Sequence, residues 1–182
     1  MSLLHYGRQQ KRRRCGGATV RYSDLPTIEV TQRVACDVPT AWARVTDIGL
    51  PARCSPELQS VQWLGDADEV RVGARFRGCN QHAALGEWQT ECEVIEVEPE
   101  HRWVWDVHGP AGVTARWAFE VEPTSDGALI RQWARMGPGT SGLTAAIDAM
   151  PEKEARIVAG RLAEWQRYMQ INLDCIRDEF AS

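Results

Sequence analysis

The chain has 182 residues, 43% of them hydrophobic and 25% charged, the balance of a soluble globular domain with enough material for one core. No apolar run approaches the ~20 residues of a membrane span, and no apolar stretch follows the N-terminal charges, which argues against a secretory signal. The net charge of −4 is uneven: residues 1–26 hold six Lys/Arg and one acid, leaving 15 bases against 24 acids in the remainder. Such an acidic body repels a phosphate backbone, so no nucleic-acid partner is expected.

In chain order, Arg12–Arg14 sit among Gln9, Gln10, Gly16 and Gly17, and residues 1–26 read as a disordered basic tail. Residues 27–182 form one domain. A first strand is expected at Thr27–Cys36, where Ile28, Val30 and Val34 favour extended chain. Asp37-Val38-Pro39 opens a short helix, with an acidic cap and a proline in its first turn. Trp42 and Val45 lie three apart on it, Gly49 and Pro51 stop it, and Ser55-Pro56 begins a second turn or helix. Between Leu58 and Met136, turns are expected at Gly65–Asp68, around Gly86, at Glu98–Glu100, at His108–Pro110 and at Thr124–Gly127. They divide this stretch into about six strands, and connections this short make neighbours antiparallel. After the loop Gly137–Gly142 the pattern turns helical. Met150-Pro151-Glu152 opens a long helix on which Val158, Leu162, Trp165, Met169, Ile176 and Phe180 make one apolar stripe. That stripe is expected to lie across the concave face of the sheet.

Side chains alternate across a strand, so each aromatic residue sets the direction of its neighbours. Phe76 facing inward takes Gly78, Asn80 and His82 with it; Trp88 takes Thr90, Cys92 and Val94. Trp103, Trp105 and Val107 form a third inward set, with Asp106 and His108 outside. Ala115, Trp117, Phe119 and Val121 form a fourth. In the last strand Trp133 shares a face with Arg131 and Arg135, which are costly to bury, so Trp133 is placed outside and Gln132 inside. So much inward aromatic surface implies a hollow. Its expected lining is Phe76, Asn80, Trp88, Thr90, Trp103, Trp105, Trp117, Phe119, Gln132 and Met136, with Trp165 and Met169 from the helix, and His82 is the candidate proton-transfer residue. A few polar groups in an apolar cleft suit a flat, hydrophobic ligand bearing one or two oxygens.

Other motifs carry less. Gly137-x-Gly139-x-x-Gly142 has the dinucleotide spacing but no second parallel strand after it, and Pro138 removes an amide; a loop gating the cavity fits better. Asp106 and His108 share a strand face, yet no GxSxG elbow supplies a nucleophile. Six scattered cysteines and four isolated histidines offer no zinc pattern, and free thiols point to a reducing, cytoplasmic setting. No metal or nucleotide cofactor is expected. A homodimer is compatible with the sequence, which does not set oligomeric state.

The order strand, two short helices, six strands, long helix resembles the START-like helix-grip fold of the Bet v 1 type. Val72–Asn80, Trp88 with Val94 and Glu98-Pro99, Trp103–Val107, and Trp117–Glu120 before Gly127 resemble the polyketide cyclase/dehydrase-like SRPBCC group from about Thr27 to Phe180. Cys54-Ser55-Pro56 departs from it, standing where such proteins often have a tryptophan before the proline. The resemblance implies an α+β fold, a curved sheet of about seven strands gripping a long C-terminal helix over a cavity. It implies binding or carriage of a polyketide, lipid or sterol-like molecule. The alternative it leaves open is a cyclase or dehydratase acting on a bound poly-carbonyl chain.

Overall fold

The computed structural model describes residues 20–181. Seven strands form one antiparallel sheet: β1 (Thr27–Val34), β2 (Leu58–Leu64), β3 (Arg75–His82), β4 (Gly86–Glu98), β5 (Arg102–Gly109), β6 (Gly112–Thr124) and β7 (Gly127–Met136). Their spatial order is β1-β7-β6-β5-β4-β3-β2, so β2 to β7 form a meander and β1 closes beside β7. Two short helices, α1 (Val38–Val45) and α2 (Leu50–Cys54), leave β1; α3 (Gly142–Ala149) and α4 (Glu154–Glu179) follow β7. The long α4 packs on β1 and β7 and spans the concave face. This is an α+β helix-grip architecture. Among the described residues no helix is long and apolar enough to cross a membrane.

Local chemistry explains these elements. Asp37 caps α1 by accepting the Thr40 N–H at 3.0 Å, and Ser141 accepts the Leu143 N–H at 3.2 Å at the start of α3. The sheet bends at irregularities in pairing between Val94 and Glu96 and between Val107 and His108, where an extra residue increases local twist. On the convex face charges pair across strands: Glu91 meets Arg75 at 2.6 Å and Arg77 at 2.7 Å. Trp133 is on this outer face and donates its indole N–H to Glu120 at 2.8 Å, beside Arg131. The parity set by Arg131 and Arg135 therefore holds, and Gln132 faces the core.

Four features differ from the sequence reading. The second helix is α2, with Pro51 in its first turn, and it ends before Ser55-Pro56. A proline that terminates one helix is equally suited to begin the next. Residues 20–26, assigned to the tail, are part of the fold. Tyr22 donates its backbone N–H to Glu154 at 3.0 Å and its hydroxyl to the Gly139 carbonyl at 2.6 Å. The remaining tail, residues 1–19, lies outside the described residues. Asp106 is on the outer face but only 6% exposed, because Arg116 on the neighbouring strand covers it with two hydrogen bonds of 2.7 and 2.9 Å. Finally, the Gly137–Gly142 loop is no free gate. Gly137 and Gly139 donate to the Thr114 and Val113 carbonyls. Gly137 has φ +74°, and a Cβ on Gly139 would stand 2.7 Å from the Gly112 backbone. A left-handed backbone at Gly137 and close backbone packing at Gly139 account for the two glycines without phosphate binding.

One tie joins the first helix to the sheet. The buried Trp103 indole N–H donates to the Val45 carbonyl at the end of α1, at 3.0 Å. Trp103→Phe keeps an aromatic ring, though a smaller one, and strands that carbonyl, so a loss of at least about 1–3 kcal/mol is expected in urea unfolding. An unchanged midpoint with an unchanged slope shows that the tie contributes nothing.

Candidate functional site

Between the sheet and α4 lies a cavity of about 410 Å³. Its size falls in the range of small-molecule sites. The wall is made by the alternation that directs Trp103 and Trp105 from β5, and Trp117 and Phe119 from β6, to the same side. Trp103 and Trp105 stack with centroids 4.2 Å apart and planes 21° apart. Trp105 continues to Trp117 at 6.2 Å and 15°, and to Phe119 at 6.0 Å and 26°. Trp165 on α4 meets Trp117 at 4.9 Å with its plane tilted by 56°, so the helix closes the aromatic wall from above. Phe76 reaches Trp105 at 6.4 Å from the β3 side. The result is a wall of nearly parallel rings packed on one another, a surface that favours a flat guest laid against it by aromatic contact and by burial of apolar area.

Of the residues singled out from the sequence, Phe76, Trp88, Thr90, Trp103, Trp105 and Trp117 line this cavity. Phe119, Gln132, Met136, Trp165 and Met169 do so as well. Asn80 and His82 are not among the lining residues. Asn80 is held behind the wall, its amide donating to Thr90 Oγ1 at 3.3 Å and to the Gly78 carbonyl at 3.4 Å. His82 pairs with Gly86 at the β3–β4 hairpin end, where it turns to α4: Nε2 is 3.2 Å from Glu164, and Nδ1 accepts the Ala84 N–H at 3.1 Å. With Nδ1 occupied as an acceptor, the neutral ring carries its proton on Nε2 and donates it to Glu164. Neither nitrogen then has a lone pair free for a substrate.

Titratable groups gather at one side of the cavity. Arg161 of α4 makes two 2.6 Å bonds to Glu57, just before β2, and a third to Glu164 at 3.2 Å. The side chains of Arg161 and Glu57 are only 12% and 14% exposed. Burial opposes the charge on Arg161, but Glu57 and Glu164 outweigh it and raise its pKa. The guanidinium also lies 5.4 Å from the Trp165 ring. Leu85, at the tip of the β3–β4 hairpin, lines the cavity while 46% exposed, which marks an opening beside this cluster. Deeper in, Cys92 lines the wall, and burial pushes its thiol up to about 12. It is protonated near neutral pH and therefore a poor nucleophile.

The profile of the family described as "polyketide cyclase / dehydrase and lipid transport" matches residues 26–170. The chain belongs to that family. No curated protein sequence matches the chain. Among solved structures, this member of the polyketide cyclase/dehydrase and lipid transport family is similar to a polyketide-cyclase-like protein of Corynebacterium glutamicum. The two share 25% identity over 83% of this chain and 88% of that one, with a TM-score of 0.55. The di-domain ARO/CYC protein BexL of the BE-7585A biosynthetic pathway shares the fold at a TM-score of 0.63 and 17% identity. That match covers 86% of this chain and half of BexL.

Sequence reasoning missed several residues of this family member's cavity: Tyr22, Glu57, Arg161, Tyr168 and Asn172. For α4 a signal existed. Arg161, Trp165, Tyr168 and Asn172 follow the stripe spacing of three and four, but their polarity hid them from a search for apolar residues.

Proposed function

We propose that this protein binds and carries a flat, largely hydrophobic molecule of the polyketide type, held between the β5–β6 aromatic wall and Trp165. The observation that carries this reading is the stack of Trp103, Trp105 and Trp117, closed by Trp165, around about 410 Å³. Membership of a family whose description joins cyclisation, dehydration and lipid transport supports a ligand of this kind. Carriage is favoured over catalysis because both His82 nitrogens are engaged and the Cys92 thiol is held protonated. The second reading is a cyclase or dehydratase, favoured by the fold shared with the di-domain ARO/CYC protein. In that case the cavity folds a poly-carbonyl chain by proximity and exclusion of water.

Native mass spectrometry of protein recovered from its source cells tests the leading reading. A retained compound of defined mass, aromatic or poly-oxygenated, is the expected result. Protein that arrives empty and takes up no two-ring aromatic at millimolar concentration overturns it. Incubation with a poly-carbonyl compound separates the two readings: under carriage the compound is recovered unchanged, and under catalysis a cyclised or dehydrated product accumulates.

A further inference from the structure

We infer that Cys54 and Cys175 form a reversible disulfide that locks α2 to α4 beside the cavity, made by exchange with a low-molecular-weight disulfide. Cys54 is the last residue of α2, and Cys175 lies in the final turns of α4, more than a hundred residues away in sequence. The two helices pack on each other, and the two thiols meet across that contact in a hydrogen bond. Thiols in contact between two packed helices meet the first requirement of a disulfide, that the backbones stand close enough for both side chains to converge. Both residues are half-buried. The charged neighbours of Cys54 are Arg53 and Glu179, each in an exposed ion pair, so the thiols sit at a solvent edge that a small disulfide can reach. Cys36 and Cys92 are placed differently. The first has Asp37, Arg44 and Glu179 for neighbours, the second Thr90 and Glu91.

The surroundings give the two sulfurs different parts. Burial and the adjacent Cys175 thiol push Cys54 up to about 12, so it stays protonated near neutral pH and does not open the reaction. Cys175 does. Its thiolate attacks one sulfur of the small disulfide, that S–S bond breaks, and one half leaves as a thiolate. The Cys54 sulfur then attacks Cys175 in the mixed disulfide and expels the other half. The protons of Cys175 and Cys54 end on the two released thiols. Two protein thiols are oxidised, one small disulfide is reduced, and no other oxidant is consumed. Pro51 and Ser55 beside Cys54, and Met169 and Asn172 on α4, line the cavity, so the bond fixes two of its walls against each other.

Incubation of the reduced full chain with oxidised glutathione, then acid quenching, alkylation of free thiols and peptide mapping, tests this. The expected product carries a Cys54–Cys175 link with no glutathione on either residue. It melts at least about 5 °C above the reduced chain, as for a bond that closes a long loop, and returns to it in dithiothreitol. Cys54→Ser should stop at the mixed disulfide, with glutathione held on Cys175, whereas Cys175→Ser should leave Cys54 unmodified. Glutathione that stays on Cys175 of the parent chain, or a link to another cysteine in its place, overturns the proposal. So does a link that appears only after urea has unfolded the chain. An oxidised chain that melts no higher than the reduced one overturns it too, because the helices are then not locked. Each of these results leaves the carriage reading standing.

Discussion

Trp105→Ala is expected to weaken binding of a two-ring aromatic by more than about tenfold and to destabilise the protein by about 3 kcal/mol. Trp105 is the hub of the wall, within stacking range of Trp103, Trp117 and Phe119 and in tilted contact with Phe76. Truncation removes the middle of the wall and leaves four rings without their neighbour. The matched control is Trp133→Ala. It deletes the same indole from the outer face, where it bonds Glu120, and should leave affinity within about twofold. Calorimetric titration of both variants decides the matter: equal losses of affinity mean that the concave face is not where the ligand sits.

Arg161→Met should cost about 3 kcal/mol in denaturant unfolding, more than any exposed ion pair of this protein would. The loss comes less from the attraction removed than from what stays behind. Glu57 is 14% exposed, and both of its 2.6 Å bonds come from Arg161. Without that guanidinium, Glu57 and Glu164 face an apolar wall as two carboxylates with no cation between them. Methionine keeps the length and apolar stem of the arginine, so packing is largely preserved. The double variant Glu57→Gln with Arg161→Met should recover a large part of the loss, because the stranded charge is gone. If the double variant is as unstable as Arg161→Met alone, the cluster acts by packing and not by charge compensation.

Much of the fold was readable because alternation is strict where one sheet face is buried and the other carries charge. Glu87, Glu91 and Glu93 around Trp88, Thr90 and Cys92 leave one parity for β4, and Arg131 with Arg135 decides it for β7. The reading weakens where alternation gives way to other constraints. His82 lies on the inward parity of β3, but the tight hairpin at Gly86 ends the strand there and Glu164 draws the ring to the helix. Asp106 looked like a solvent-facing acid because its cover, Arg116, is ten residues away and becomes its neighbour only when β5 pairs with β6. Tyr22 belongs to the core through contacts with Gly139 and Glu154, more than a hundred residues distant, which no local pattern reveals. The candidate cavity wall was thus legible from the strands, while the side chains that α4 adds to it, among them Arg161, Tyr168 and Asn172, depended on how the helix docks.

The 4.2 Å stacking of Trp103 on Trp105, extended by Trp117, has an optical side. Indoles held this close and nearly parallel share their excited states, so their near-ultraviolet circular dichroism is that of a coupled set and not of independent chromophores. A planar guest laid against the outer members of this set changes their surroundings and accepts their excitation energy. Occupancy can therefore be read from the unlabelled protein, with Trp133 and the other indoles away from the cavity, Trp42 and Trp63, as a constant background.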